Sequence, residues 1–221
     1  MNPGQKMYDE DGNQICLFPL QFLNISQWYG PDTLSHCCGC AVDYRTHGEI
    51  TPVYAPFDCH LTYNSDTTAH TLFYCSDRPV RTPSGLHYVS IQLTHAHNPP
   101  YTQNVKQGEI IYYSGNAGGW SMGIHLHMDQ TFDKDARWMN YNIKCNYGNT
   151  CYGMPDPVPA NQVFYVNDTT IEDDKGHTFV IYEGPEPPTP PEPPTPPGPG
   201  PSGGQFKWWL AHKMLFNRRN M

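Results

Sequence analysis

Histidine is over-used in this chain, with eleven in 221 residues. Two of them, His125 and His127, flank a single leucine inside SGNAGGWSMGIHLHMD. If that segment is a strand, side chains two apart share one face and lie roughly 6.6 Å apart along it. One imidazole can then hold a metal ion while its neighbour faces the same bound water or substrate. His36 and Asp43, in SHCCGCAVDY, add an imidazole and a carboxylate where another strand opens. His95 and His97, in IQLTHAHNPPY, offer two imidazoles just after a third strand. His36, Asp43 and His127 compose two neutral imidazoles and a carboxylate with an open fourth position, which catalytic zinc uses and structural zinc avoids. His125 and His95 stay unliganded in that scheme, placed to move protons. Two blander readings compete. One is an exposed histidine pair that binds nothing. The other is a Cys/His metal scaffold centred on His36 to Cys40, although CCGC lacks the C-x2-C spacing of a zinc knuckle.

These residues need strands to hold them, and the body of the chain reads as short strands divided by turns. Alternating, β-branched or aromatic runs cover Gln21 to Ile25, Gly39 to Tyr44, Pro52 to Ala55, Leu72 to Cys75, Tyr88 to Thr94, Glu109 to Tyr113 and Ile124 to Met128. Two more, Gln162 to Val166 and Thr178 to Tyr182, read as a terminal hairpin around the acidic turn at Asp173-Asp174-Lys175-Gly176. PSG, NPP, SGNAGG and DDKG supply turn signals, and the glycines before the H-x-H pair permit close backbone approach. The helix-forming residues are scarce, and only Asp133 to Asn140 reads as a helical piece. The fold class expected is all-β, an antiparallel sheet with a groove over the metal site. Of the eight cysteines, most are expected to be buried thiols, with Cys145 and Cys151 the best local disulfide pair.

Composition separates this body from the C-terminal segment. Eleven of the 23 prolines fall between Pro185 and Pro201, where PEPPTP occurs twice in succession. Such a run has few backbone donors and no apolar side chains, so it is expected to extend as a stiff polyproline II spacer ending in a glycine joint. Beyond it, QFKWWLAHKMLFNRRNM carries Lys207, Lys213, Arg218 and Arg219 without an acid. That basic, aromatic tail reads as a docking peptide for a partner groove or an anionic membrane surface, or as an element folding back on the body. The expected organisation is a catalytic core over 1–130, a C-terminal extension of it with a β-hairpin over 131–183, a linker over 184–204 and the docking tail over 205–221. A formal charge of −8 argues against nucleic acid as partner, since phosphate binding needs clustered Lys and Arg. The opening MNPGQKMYDEDGNQ has no apolar signal region, so the usual secretory route is not expected.

Taken in order, these segments resemble the lysostaphin-type zinc metalloendopeptidases of bacterial cell walls. The family's first His and Asp look like His36 and Asp43, and its alanine-proline-aspartate strand looks like Pro52 to Asp58. Its middle histidine looks like His95, its V-K-x-G segment like Val105 to Gly108, and its G-x-x-G-x-H-x-H like the run ending at His127. The resemblance spans roughly Gln21 to Met128. It implies zinc on His36, Asp43 and His127, with His125 and His95 as catalytic imidazoles and the peptide stems or cross-bridges of peptidoglycan as substrate. His97 stands as the alternative to His95, His47 as a lesser ligand candidate, and Tyr29 as a counterpart of a tyrosine that steadies the transition state. Six residues separate His36 from Asp43, where the family commonly has three. The longer gap resembles versions in bacteriophage tail-tip and tail-knob proteins. The implied setting is a phage tail acting at the bacterial wall, with the C-terminal tail bound to other tail proteins. A released endolysin and a non-catalytic tail or wall-binding protein of the same fold are the alternatives.

Overall fold

The computed structural model describes residues 1–184 apart from 66–67, 98–101, 120 and 149. The linker beyond Gly184 and the tail lie outside the described residues. Seven strands build the main sheet: β1 (Ile25–Gln27), β2 (Val42–Arg45), β3 (Cys59–Ser65), β4 (Thr71–Ser76), β5 (Ser90–Thr94), β6 (Asn104–Val105) and β7 (His125–Thr131). Their order across the sheet is β6-β3-β4-β5-β7-β2-β1, and every neighbouring pair is antiparallel. The expectation of an all-β antiparallel domain therefore holds.

Alternation sorts the side chains. Leu126 and Met128 of β7 point with Val42, Tyr44, Leu72, Tyr74, Ile91 and Leu93 into one fully buried core. Each such side chain stabilises the fold by about 1.5 to 3 kcal/mol relative to an exposed one. Phe18, Val53, Tyr112 and Phe164 close that core from the other side, with Phe18 edge-on to Tyr44 and Phe164. The intervening residues, among them Asp43, His125, His127, Thr94 and Thr71, are thereby forced onto the opposite face.

The segments that resemble the wall-peptidase motifs without carrying histidine hold one another. Pro52–Tyr54 pairs antiparallel with Ile110–Tyr113. The Asp58 carboxylate accepts hydrogen bonds from the Gln107 N–H at 2.9 Å, Gln14 Nε2 at 3.1 Å and Lys106 Nζ at 2.9 Å. Gly108 has φ +82, and a Cβ there would stand 2.6 Å from the Gln5 backbone nitrogen, so the turn admits only glycine.

Three expectations fail. Asp133 to Asn140 is not helical: Asp135 sits in the left-handed region at φ 56, which breaks a helix, and Met139 begins a strand. Arg137 and Trp138 pack instead on Tyr63 and Phe73. The expected terminal hairpin is absent, because Tyr165–Val166 and Val180–Ile181 pair in parallel, each a short edge added to the body. The antiparallel pair in this part of the chain is β8 (Met139–Lys144) with β9 (Thr150–Gly153). Finally, Cys145 and Cys151 do not bond each other. Cys37 bonds Cys145 and Cys38 bonds Cys151, so two adjacent cysteines staple both ends of the β8–β9 connection to the loop after His36. Cys16, Cys40, Cys59 and Cys75 remain thiols, three of them buried.

Candidate metal centre

Register places the site. On β7, His127 lies opposite Asp43 of β2 on one side and opposite Thr94 of β5 on the other. The strand pairing that brings these three together is non-local, yet it fixes their separation to one strand spacing each. His127 Nδ1 is 2.9 Å from Asp43 Oδ1. His36 enters from the loop before β2, with its N–H donating to Thr33 Oγ1 at 3.1 Å and its carbonyl accepting from Gly30. Its Nε2 reaches Asp43 Oδ1 at 3.5 Å, and its ring stands edge-on to that of His127.

The other two imidazoles flank this trio. His125 Nε2 is 3.5 Å from Asp43 Oδ1, and its Nδ1 lies 2.8 Å from the Gly123 carbonyl. A carbonyl only accepts, so in the neutral ring Nδ1 carries the proton and Nε2 the lone pair. His95 follows β5 with φ 77, its N–H held by the Ala69 carbonyl. Its Nδ1 donates to the Ala117 carbonyl at 2.6 Å, which again leaves Nε2 as the basic nitrogen. Its ring centre is 4.8 Å from that of His125 and 5.8 Å from that of His127. This backbone is held open by Gly115, where a Cβ would come within 2.3 Å of the His95 carbonyl oxygen.

The ligand atoms of His36, Asp43 and His127 lie within 4.8 Å of one another. Atoms bound tetrahedrally to one zinc at about 2.0 to 2.1 Å stand about 3.3 Å apart. The Asp43 oxygen meets the two imidazole nitrogens at 3.5 and 2.9 Å, close to that separation. His36 is 2% exposed, and its ring nitrogens make only marginal contacts, Nε2 with Asp43 Oδ1 at 3.5 Å and the ring with the Ala41 backbone. A buried imidazole with such poorly formed hydrogen bonds costs free energy that coordination would recover. Burial lowers the His36 pKa to about 4 against the opposing pull of Asp43, and burial with the neighbouring His127 lowers His95 to about 4. Both rings are therefore neutral at pH 7, as a ligand and a base must be. For Asp43 burial pushes upward, but the His127 hydrogen bond and the facing imidazoles outweigh it, so the carboxylate stays ionised. The donor set fits zinc.

All five sequence candidates thus converge. His97 contributes its N–H to the Tyr113 carbonyl. His47 does not join the cluster: its Nε2 contacts Glu172 at 2.6 Å and its ring stacks on Phe22. Tyr29 packs against Trp28. Of the CCGC run, Cys37 and Cys38 are held in disulfides with Cys145 and Cys151, which leaves Cys40 as its one thiol. Sequence reasoning passed over Asp129, which shares the face of His125 and His127 by the same period of two. It is fully buried, accepts from the Met154 N–H at 2.7 Å, and ties β7 to the segment after β9. Burial, only partly offset by the Met154 and Gln130 N–H donors, raises its pKa to about 6.

No known family profile matches the chain. Morphogenesis protein 1 of Bacillus phage B103 is 32% identical over 121 residues, covering 53% of this chain. The chain spans about a third, 32%, of that relative's length. Among solved structures, a zinc containing peptidase from Vibrio cholerae is similar at 17% identity and TM-score 0.37, covering 57% of this chain and 42% of that one. The catalytic domain of lysostaphin from Staphylococcus simulans is similar at 22% identity and TM-score 0.38, covering 49% and 80%.

Proposed function

We propose that this chain is a zinc metalloendopeptidase that hydrolyses the peptide stems or cross-bridges of bacterial peptidoglycan. The observation that carries the reading is the buried His36 facing Asp43 and His127, with two further imidazoles whose basic nitrogens are set by carbonyl contacts. His36, Asp43 and His127 would hold the zinc. When bound, zinc supplies Lewis acidity and brings the pKa of water to about 7. His125 Nε2 and His95 Nε2 are the free bases beside the cluster. One accepts the proton of the attacking water and passes it to the leaving amine; protonated, either donates a hydrogen bond to the developing oxyanion. Asp43, ionised beside both His127 and His125, holds their ring orientations.

The setting proposed is a bacteriophage tail, where the domain opens the wall for genome entry. The sequence likeness to a phage morphogenesis protein supports a phage source, and the long His36 to Asp43 gap agrees with it. The tail over 205–221 would bind neighbouring tail proteins through the 184–204 linker. A released endolysin remains the second reading; it predicts that the chain is missing from purified particles, whereas the tail reading places it there. Digestion of purified peptidoglycan with mass analysis of the released fragments tests the activity. Release of free amino groups from stem or cross-bridge peptides is expected, and an intact wall after incubation with zinc-loaded protein overturns it.

A further inference from the structure

The face that carries the histidines continues across the sheet as a buried polar row, with Thr71, Ser65, Gln92 and Thr94 all nearly inaccessible. In register from His127 run Thr94 on β5, Thr71 on β4 and Ser65 on β3. The Thr94 and Thr71 hydroxyls meet at 3.1 Å. Beside this row Gln92, 5% exposed, donates its amide to Thr94, while its Oε1 has no partner among the described residues. The row ends in a cleft of about 360 Å³ between β3 and the β8–β9 hairpin, a volume in the range of small-ligand sites. Tyr63, Trp138 and Tyr152 wall it, with Arg137 and Asn140 at the rim. Tyr152 is 50% exposed and Tyr63 40%, while Trp138 is steadied by stacking on Phe73.

We propose that this cleft binds an N-acetylated amino-sugar ring of the glycan strand. The proposal rests on the peptidase reading and deepens it by adding a glycan subsite. A pyranose presents a face of C–H bonds that packs on an aromatic ring and a rim of hydroxyl and acetamido groups that needs donors and acceptors. The cleft offers both, in Trp138 and Tyr152 and in Arg137 and Asn140. Distance supports the pairing. From His127 to Ser65 is three strand spacings, about 14 Å. An extended peptide covers that span in about four residues. A stem attached to a sugar in the cleft would therefore bring a bond about four residues away onto the metal centre.

The test is an NMR titration of the full chain with the trimer of N-acetylglucosamine, which contains no peptide. Saturable shifts centred on the Trp138 indole are expected, with affinity weakened about tenfold or more in Tyr152→Ala and in Arg137→Ala. Both side chains are exposed, so unfolding midpoints equal to that of the unaltered chain confirm that the fold is intact. No saturable shift, shifts remote from Trp138, or undiminished affinity in both variants overturns the subsite. Sugar binding requires no bond cleavage, so the two readings fail separately. A chain that cleaves wall peptides and ignores the trimer loses the subsite alone. One that binds the trimer and leaves walls intact loses the peptidase reading alone.

Discussion

His127 Nδ1 lies 2.9 Å from Asp43 Oδ1 across a directly paired position of β7 and β2. The pairing assigns different consequences to neighbouring histidines. His127→Ala and Asp43→Ala each remove a proposed zinc ligand, and bound zinc is expected to fall from about one per chain to near none. His125→Ala keeps zinc and loses about 10²- to 10⁴-fold in kcat on wall peptides. Atomic absorption on the purified variants, alongside wall digestion, checks both. Full activity in His125→Ala would remove it from the mechanism.

Gly115 matters for a reason that involves no chemistry of its own. Its Cα packs against the His95 carbonyl and the His97 nitrogen, where an added Cβ would sit 2.3 and 2.6 Å away. Two backbones cannot yield as a flexible side chain does. Gly115→Ala is therefore expected to cost about 1 to 3 kcal/mol and to move His95 off the metal centre. Urea unfolding measures the first effect and kcat the second; unchanged values for both would show that the crossing is looser than the contact implies.

How far the sequence exposed this site depends on the range of the forces involved. The shared face of His125 and His127 is a local property of strand periodicity, so H-x-H could be read directly. The same rule applied two residues further would have flagged Asp129. His36, Asp43 and His95 needed more, because the pairing of β7 with β2 and β5 is set by core packing far along the chain. Their types beside expected strands suggested them, and the order of the motifs then supported the set. The strand Cys59–Ser65 escaped notice because CHLTYNS mixes polar and apolar residues without a clean apolar face. Cys145 and Cys151 looked like partners because they are near in sequence, whereas tertiary approach paired them with Cys37 and Cys38. Nothing local marks Asp135 for a left-handed turn, and that single φ converted an expected helix into the approach to β8.

Asp58 gives the body a defined acid sensitivity. Burial alone would raise its pKa, but hydrogen bonds from Lys106, Gln107 and Gln14 depress it below the ordinary carboxylate value. A depressed folded-state pKa contributes stability above the unfolded value and loses it as pH falls through the folded one. The contribution is thus complete at neutral pH and begins to be lost below about pH 4, disappearing as pH falls through the lower folded-state value. Asp58→Asn is expected to lower stability at pH 7 by about 1 to 2 kcal/mol. Its difference from the unaltered chain should shrink as pH falls. Urea midpoints across that range decide; a constant difference would mean that the Asp58 contacts act through shape instead of charge.

The two disulfides fasten the β8–β9 hairpin to the loop that delivers His36, so they link overall stability to the metal site. Cys37–Cys145 closes a separation of 108 residues. The chain-entropy estimate for a loop of this order is about 4.7 kcal/mol. Once it has formed, Cys38–Cys151 closes only the small ring through 145–151, so its added contribution is smaller. Either bond alone keeps the long loop closed, so replacing one pair by serine is expected to lower the thermal midpoint only modestly, whereas replacing all four cysteines is expected to lower it by roughly 10 to 20 °C, at about 2 to 4 °C per kcal/mol for a domain of this size. Because His36 precedes Cys37 directly, replacing Cys37 and Cys145 should also weaken zinc binding at the proposed site, through a loop that is no longer pinned on its far side. Serine avoids the new thiolate ligands that chemical reduction would create. Calorimetry and competition against a zinc chelator read the two effects separately. A quadruple serine variant that melts with the unaltered chain would mean the hairpin is held by Trp138, Met154 and Asp129 without the help of the disulfides.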